Sequence, residues 1–467
     1  MVLNLKPDVD PALRALSAQA LRELCIWAVA AQRQALPEPV RRRAALVLLD
    51  DLGAAVAAST EPEVAAARQV EERASLGAEA SVFARGLPRL SRVGAAVANG
   101  MAATWCELDE GYRLAPCHAG ACIWPVLLAE AEATGASVEA VLRALAIAYD
   151  ITARFAEAFP FATMTVHPHA AYATIGATAG LGLLRGLDAE TFLKALTGAA
   201  SMTFAGPYGH AIDGALVRNA WTAASGFIAF RAVAWAEAGI AGIPETAYDV
   251  FAVSFGTGCR PQELTTELGG RWAIANGYHK IFACCQYAHS MIEASLALHS
   301  RLGPSARDAI AAIEVETHPR GLTLTGVEPQ TVLAAKFSMP HAAAAVARMA
   351  SGGQAAFSSA ARIDPAIAEL RRKVVLKPLE RLEPWPNDRA ATVTWIMTDG
   401  QRHRASCLNA RGGADQPFDE TTLAQKLEEN AGTQLPGMVA PLLGLLRSTA
   451  DDQRPWRDVV AEMGKAQ

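Results

Sequence analysis

The sequence predicts a mainly α protein with an α+β part, and three observations carry that prediction. From about residue 10 to 270, Ala, Leu, Gly and Val recur at helical spacing, as in "SVEAVLRALAIAYDITARFAEAF" and "AETFLKALTGAASM". After about residue 275 the texture changes. "AAIEVETHP" and "VVLKPL" read as strands, and "ATVTWIMTDGQRHRASCLNA" reads as two alternating runs joined by Asp399-Gly400, a hairpin signal. From about residue 411, "FDETTLAQKLEEN" and "VAPLLGLLRSTA" return to helix, so the chain can rejoin its first part.

Taken in order, the early helices start at Asp, Ser or Thr and end near Gly, as in "GLDAETFLKAL". Small residues on several faces let helices pack closely, so the inner ones are expected to be apolar nearly all round. In the α+β part, helices such as "YAHSMIEASLALHSRL" and "PHAAAAVARMASG" alternate with the strands. At 467 residues the chain calls for two or three domains, and it shows no internal repeat.

Composition narrows the class of function. Apolar residues make up 51%, and 42 basic against 47 acidic side chains give a net charge of −5 without a basic run. Nucleic acid is therefore not expected as a partner. Apolar stretches such as "AALVLLDDLGAAVAAST" are broken by charge before the run of about 18 residues that a membrane span needs. The N-terminal segment "MVLNLKPDVDPALRALSAQALREL" has acidic residues and no apolar core of a leader, so a soluble cytoplasmic protein is expected. None of the eight cysteines forms a Cys-x-x-Cys pair, and they read as buried thiols. No Cys and His set has zinc spacing, so no metal is expected.

Five places hold residues that can do chemistry. "WCELDEGYRLAPCHAG" (105–120) combines Glu107, Asp109 and Glu110 with His118 in one loop, a set suited to general acid–base work or simply to a solvated acidic loop. Tyr149 sits on an apolar helix, where a tyrosine is usually core with its hydroxyl bonded. In "VHPHAAYATIGATAG" (166–180), His167-Pro168-His169 opens a helix; a histidine there can hold a carboxylate, or Pro168 is only a start signal. "GPYGHAIDGALVRNA" (206–220) brings Asp213 and Arg218. "HKIFACCQYAHS" (279–290) sets Lys280 before Cys284 and Cys285, where desolvation would lower its pKa and the cysteines would pack; a lysine snorkelling to water is the bland alternative.

These places, in this order, resemble the MmgE/PrpD family, which includes 2-methylcitrate dehydratase, cis-aconitate decarboxylase and iminodisuccinate epimerase. "LVLLDDLGAAVA" is similar to the family's early helix, "VANGMAATWCELDE" to its Asn-Gly segment leading into an acidic motif, and "CHAGACIWPVLLAEAE" to its His-Pro-Ser segment. "VHPHAAYATIGATAGLGLLRGLD" resembles the His-Pro helix, "KIFACCQYAH" the Lys-x-Tyr-Pro-Cys-Cys segment, and "AKFSMPHAAA" a strand-to-helix joint.

The resemblance implies a large helical domain from both chain ends (1–275 and 411–467) and a smaller α+β lid at 276–410, in a homodimer that needs no metal or organic cofactor and has its site in the interdomain cleft. Carried over by position, Glu107, Asp109, His118, His167, Tyr149 and Lys280 are the catalytic candidates. Asp213, His341, Arg218 and His169 are the substrate-binding ones. The family's threonine after the acidic motif is Gly111 here, a lysine position is Asp213, and the tyrosine after "AKFSMP" is His341. The implied activity is a lyase that removes a proton α to a carboxylate of a small di- or tricarboxylate, by dehydration or decarboxylation. One alternative is an epimerase of an amino- or imino-dicarboxylate, with Tyr149 and Lys280 as opposed acid and base. The other is an inactive binding homologue.

Overall fold

The computed structural model describes residues 9–465. Helices dominate up to Glu237, and capping side chains start several of them. The Pro11–Ala31 helix is capped by Asp10, which accepts from the backbone N–H groups of Ala12 and Leu13. Ser91, Ser137 and Asp188 do the same for Arg92–Ala103, Val138–Ala158 and Ala189–Ser201. Around the centre, Ala119–Thr134 and Ala173–Leu184 are buried on nearly every face, as their composition requires. They pack against each other and against Val138–Ala158 and Val217–Glu237. Small residues set the spacing: a Cβ on Gly100 would lie 2.8 Å from the Cα of Ala223, so the Arg92–Ala103 and Val217–Glu237 helices touch backbone to backbone. Each fully buried Leu or Phe in such a core contributes about 1.5–3 kcal/mol.

The α+β part has one four-stranded sheet, ordered Val374–Pro378, Ile310–Thr317, Ala391–Met397, Arg402–Cys407. The first pair is parallel, with Ile313 opposite Val374, and the other two are antiparallel. The Asp399-Gly400 hairpin is present: Gly400 takes φ +85°, a left-handed turn that suits glycine. The segment "AKFSMPHAAA" is not a strand-to-helix joint. Val332–Lys336 is a short helix capped by Thr331, and Ser338 caps the Met339–Met349 helix that follows.

Beyond the sheet, the Glu420–Ala431 helix packs on Glu38–Ala58, and Trp456–Gly464 packs on Ala119–Thr134. No helix among the described residues is long and apolar enough to cross a membrane.

Candidate active site

The acidic loop lies between the Arg92–Ala103 and Ala119–Thr134 helices and is pinned from three sides. Gly111 and Tyr112 pair antiparallel with Tyr278 and Gly277, which brings the Lys280 segment beneath the loop. Lys426, from a C-terminal helix, donates to the Leu108 carbonyl at 2.7 Å and to Asp50 at 2.5 Å. Lys336 donates to the Trp105 carbonyl at 2.8 Å. Glu107 takes a left-handed φ of +53°, a conformation costing a non-glycine residue about 1–3 kcal/mol. Its carboxylate lies 2.6 Å from Arg218 and 3.6 Å from Lys280.

Asp109 is fully buried, with Oδ1 3.4 Å from Lys280 Nζ and Oδ2 2.6 Å from His118 Nδ1. Burial alone would raise its pKa, but Lys280 and His118 more than offset that and hold the carboxyl below the usual range. Lys280 does not behave as the sequence suggested. Burial does lower its pKa, yet Asp109 and Glu107 outweigh burial and carry it above that of an ordinary lysine. It is a fixed cation.

Hydrogen bonds orient both histidine rings. His118 Nδ1 lies 2.8 Å from the Glu110 carbonyl, which can only accept, so Nδ1 carries the proton and Nε2 keeps its lone pair. With its side chain 17% exposed, His118 is the open member of the Asp109–His118 pair. His167 differs: its Nδ1 accepts from the backbone N–H of His169 at 3.1 Å, and its Nε2 accepts from Arg218 Nε at 3.4 Å. Burial and then Arg218 lower its pKa, so it stays neutral near pH 7. The imidazole thus orients the Arg218 guanidinium, whose charge can meet an anionic oxygen.

A cavity of ≈ 50 Å³ opens onto this cluster, lined by Glu107, His118, His167 and Arg218 from the helical part. Tyr278, Gln286, Tyr287, Phe337 and Arg389 line it from the α+β side. Four of the expected residues therefore meet in the cavity, while Asp109 and Lys280 stand directly behind Glu107 and His118. His169 is also behind, fully buried with both ring nitrogens unpartnered, its ring 4.7 Å from that of His118. Tyr149 does not line the cavity: its hydroxyl donates to Glu110 Oε2 at 2.8 Å, and burial, then Glu110, raise its pKa far above normal.

Two expectations are corrected outright. Asp213 is solvent-exposed at the end of the short Gly209–Asp213 helix and does not line the cavity, because Gly214 turns the chain away in a left-handed conformation. His341 is buried in the α+β part, spent on the Ala356 carbonyl at 3.0 Å and on Arg371 at 3.1 Å. Of the cysteine pair, Cys284 packs as expected, but Cys285 reaches the cavity wall, where burial pushes its thiol up to about 11.

Gly111 has its own reason. A Cβ there would lie 2.5 Å from the Tyr278 hydroxyl, so the missing side chain makes room for the Tyr278 ring. Sequence reasoning overlooked Tyr278, Gln286 and Arg389; Tyr278 adjoins and Gln286 lies within a segment already singled out, whereas Arg389 in "EPWPNDRA" carries no local signal. For a metal, Asp109, His118 and His169 offer atoms within 4.8 Å of one another. Asp109 is already held between Lys280 and His118 Nδ1, so a cation there would compete with both.

Comparisons with known proteins find two family domains along the chain. Residues 22–256 match the MmgE/PrpD N-terminal domain and residues 282–438 the MmgE/PrpD C-terminal domain. The chain is 27% identical over 291 residues to the cis-aconitate decarboxylase-like protein oryM of Aspergillus oryzae, covering 58% of this chain and 60% of that one. It is 24% identical over 297 residues to the cis-aconitate decarboxylase of Aspergillus terreus, with 60% of each chain covered. The matched region thus spans about 60% of the length of these curated relatives.

Proposed function

The chain belongs to the MmgE/PrpD family, and on that premise we propose that it is a lyase acting on a small carboxylic acid, with His118 as its general base and acid. The single observation that supports this reading best is the Asp109–His118 pair, which leaves Nε2 unprotonated on the cavity wall. In a dehydration, Nε2 takes the proton α to the carboxylate, the electron pair left behind forms the double bond, and the imidazolium gives that proton to the departing β-hydroxyl, which leaves as water. In a decarboxylation the C–C bonding pair stays on carbon as CO₂ departs, and His118, starting in its imidazolium form, donates its Nε2 proton to that carbon. Both routes pass through an enolate-like carboxylate, whose added charge falls to Arg218.

The epimerase alternative needs Tyr149 and Lys280 in the cavity, and neither lines it. An inactive binder would have no use for a histidine held in the base tautomer. The reading includes a homodimer, supported by exposed Val217, Phe227 and Trp235 on one helix.

A test is solvent exchange in deuterated buffer across small di- and tricarboxylic acids, followed by NMR. Deuterium entry with loss of water or CO₂ is expected, and His118→Gln should lower the rate by about 10²–10⁴-fold. Exchange without net elimination would replace the lyase with an epimerase; full activity in His118→Gln would remove His118 from the chemistry.

A further inference from the structure

We propose that Arg389 is the anchor for a second substrate carboxylate, which makes the ligand a dicarboxylate held between Arg389 and the Arg218–His167 pair. This rests on the carboxylic-acid reading of the site. The argument begins with a charge inventory of the cavity and the groups behind it. Glu107 and Asp109 are matched by Arg218 and Lys280, each cation lying within 3.6 Å of a carboxylate. Those four charges cancel. They leave Arg218, oriented by His167, able to meet an incoming carboxylate but add no net attraction.

Arg389 is different. It is only 4% exposed and lines the same cavity from the α+β side. Its Nη1 donates to the side-chain oxygen of Gln286, a neutral partner, and its Nε is buried without any partner. The nearest carboxylate, Asp388, is 3.8 Å away at its Oδ2, and its Oδ1 is taken by Arg113 at 2.6 Å. Asp388 also stands 40% exposed to water. The guanidinium lies over the Tyr287 ring at 5.0 Å, which fixes its plane without neutralising it. A buried guanidinium with one neutral partner and a free N–H is costly in an empty site, and an entering carboxylate relieves that cost.

The surrounding contacts tie Arg389 to closure of the two parts of the molecule. Arg113, on the helical side, donates to the Pro386 carbonyl at 3.0 Å and to Asn409 at 2.7 Å as well as to Asp388. The 386–389 segment is thus clamped across the cleft, and the clamp carries Arg389 into the cavity. Beyond Arg218 and Arg389, no other cation lines it among the described residues, so a third carboxylate has no matching charge.

The test measures binding rather than turnover, in the His118→Asn background so that chemistry cannot interfere. Three probes are titrated by calorimetry at pH 7: succinate, its half-amide succinamate, and propane-1,2,3-tricarboxylate. The protein should bind succinate about 10- to 100-fold more tightly than succinamate, and the tricarboxylate no more tightly than succinate. Arg389→Gln should erase the succinate preference while leaving succinamate within about threefold, and Arg389→Lys should restore part of it. A merely structural role would weaken both probes equally, and that outcome, an unchanged preference in Arg389→Gln, or no succinate binding at all would overturn the proposal. If the charge discrimination appears but no acid exchanges deuterium in the parent protein, the lyase reading fails and the anchor stands. If exchange occurs without discrimination, the reverse holds.

Discussion

Replacing Asp109 by Asn tests the centre of the proposed chemistry with almost no change in shape. The carboxylate now lies 2.6 Å from His118 Nδ1 and faces Lys280 at 3.4 Å. In the amide variant the Glu110 carbonyl still holds the proton on Nδ1, but the negative charge that stabilises the imidazolium formed when Nε2 takes a proton is gone, so Nε2 is a weaker base. Loss of a positioned base lowers a rate by about 10²–10⁴-fold, or roughly 3–5.5 kcal/mol of barrier. Ligand affinity should change little, because Arg218, His167 and Arg389 are untouched. Stability should fall too, since Lys280 keeps only Glu107 at 3.6 Å. Removing both partners of a buried charge typically costs 3–5 kcal/mol; with one carboxylate remaining, about 1–3 kcal/mol is expected. The assay is deuterium exchange on the acid found by screening, run well below the melting temperature, with urea denaturation alongside. A folded Asp109→Asn protein that keeps more than a third of the parent rate would refute the base assignment.

Three further outcomes follow from the same contacts. Glu110 holds its proton to about pH 7 because of burial, against an ordinary value of 4.5. The unfolded chain therefore binds fewer protons than the folded one across that window, and this group's contribution falls by up to about 3 kcal/mol as pH rises from 4.5 to 7; denaturation at several pH values should show Glu110→Gln flattening that slope. Gly120→Ala would place a Cβ 2.6 Å from Asp51 Oδ2 and from Val47 Cγ1, and 2.8 Å from Glu110 Oε1, so a loss of about 1–3 kcal/mol is expected by thermal melting. Asp213→Lys should leave the preference among acids unchanged in calorimetry, because that carboxylate is exposed and outside the cavity.

What was legible in the sequence depended on whether the signal was local. Capped, periodic helices such as Val138–Ala158 and the Asp399-Gly400 hairpin are specified by their own residues, and they appear where the pattern puts them. The acidic loop, His118, His167 and Arg218 were also readable, because motif order survives folding. Lys280 shows the limit: its burial was legible, but the sign of its pKa shift depends on Glu107 and Asp109, more than 170 residues away, which only the Gly111–Tyr278 pairing brings close. Asp213 failed for the complementary reason. A charge difference at a matching position says nothing about direction, and the left-handed Gly214 settles that locally. Arg389 needed three-dimensional information outright, since its cavity neighbours Glu107, His167 and Arg218 come from the other end of the chain.

The charges behind the cavity are best understood as a device for assembling distant segments. Asp50, on the Glu38–Ala58 helix, is buried between Lys426 at 2.5 Å and His279 at 2.7 Å. One carboxylate thereby joins an N-terminal helix, a C-terminal helix and the strand leading to Lys280. As a source of stability such a cluster is poor, because desolvating its ions costs about as much as their attraction returns, and an apolar replacement would often be neutral or better. What apolar residues cannot supply is register. Lys426 reaches Asp50 and the Leu108 carbonyl together, so the Glu420–Ala431 helix can dock in one position only. That position supports the loop carrying Glu107 and Asp109, and the same docking leaves Asp109 where it orients His118. Replacing both partners, Asp50→Leu with Lys426→Met, should therefore cost activity out of proportion to stability. The unfolding free energy of that double variant should stay within about 1–2 kcal/mol of the parent, while the exchange rate falls at least tenfold through misplacement of the loop. Equal activity with equal stability would show that the loop holds its geometry without the buried charges.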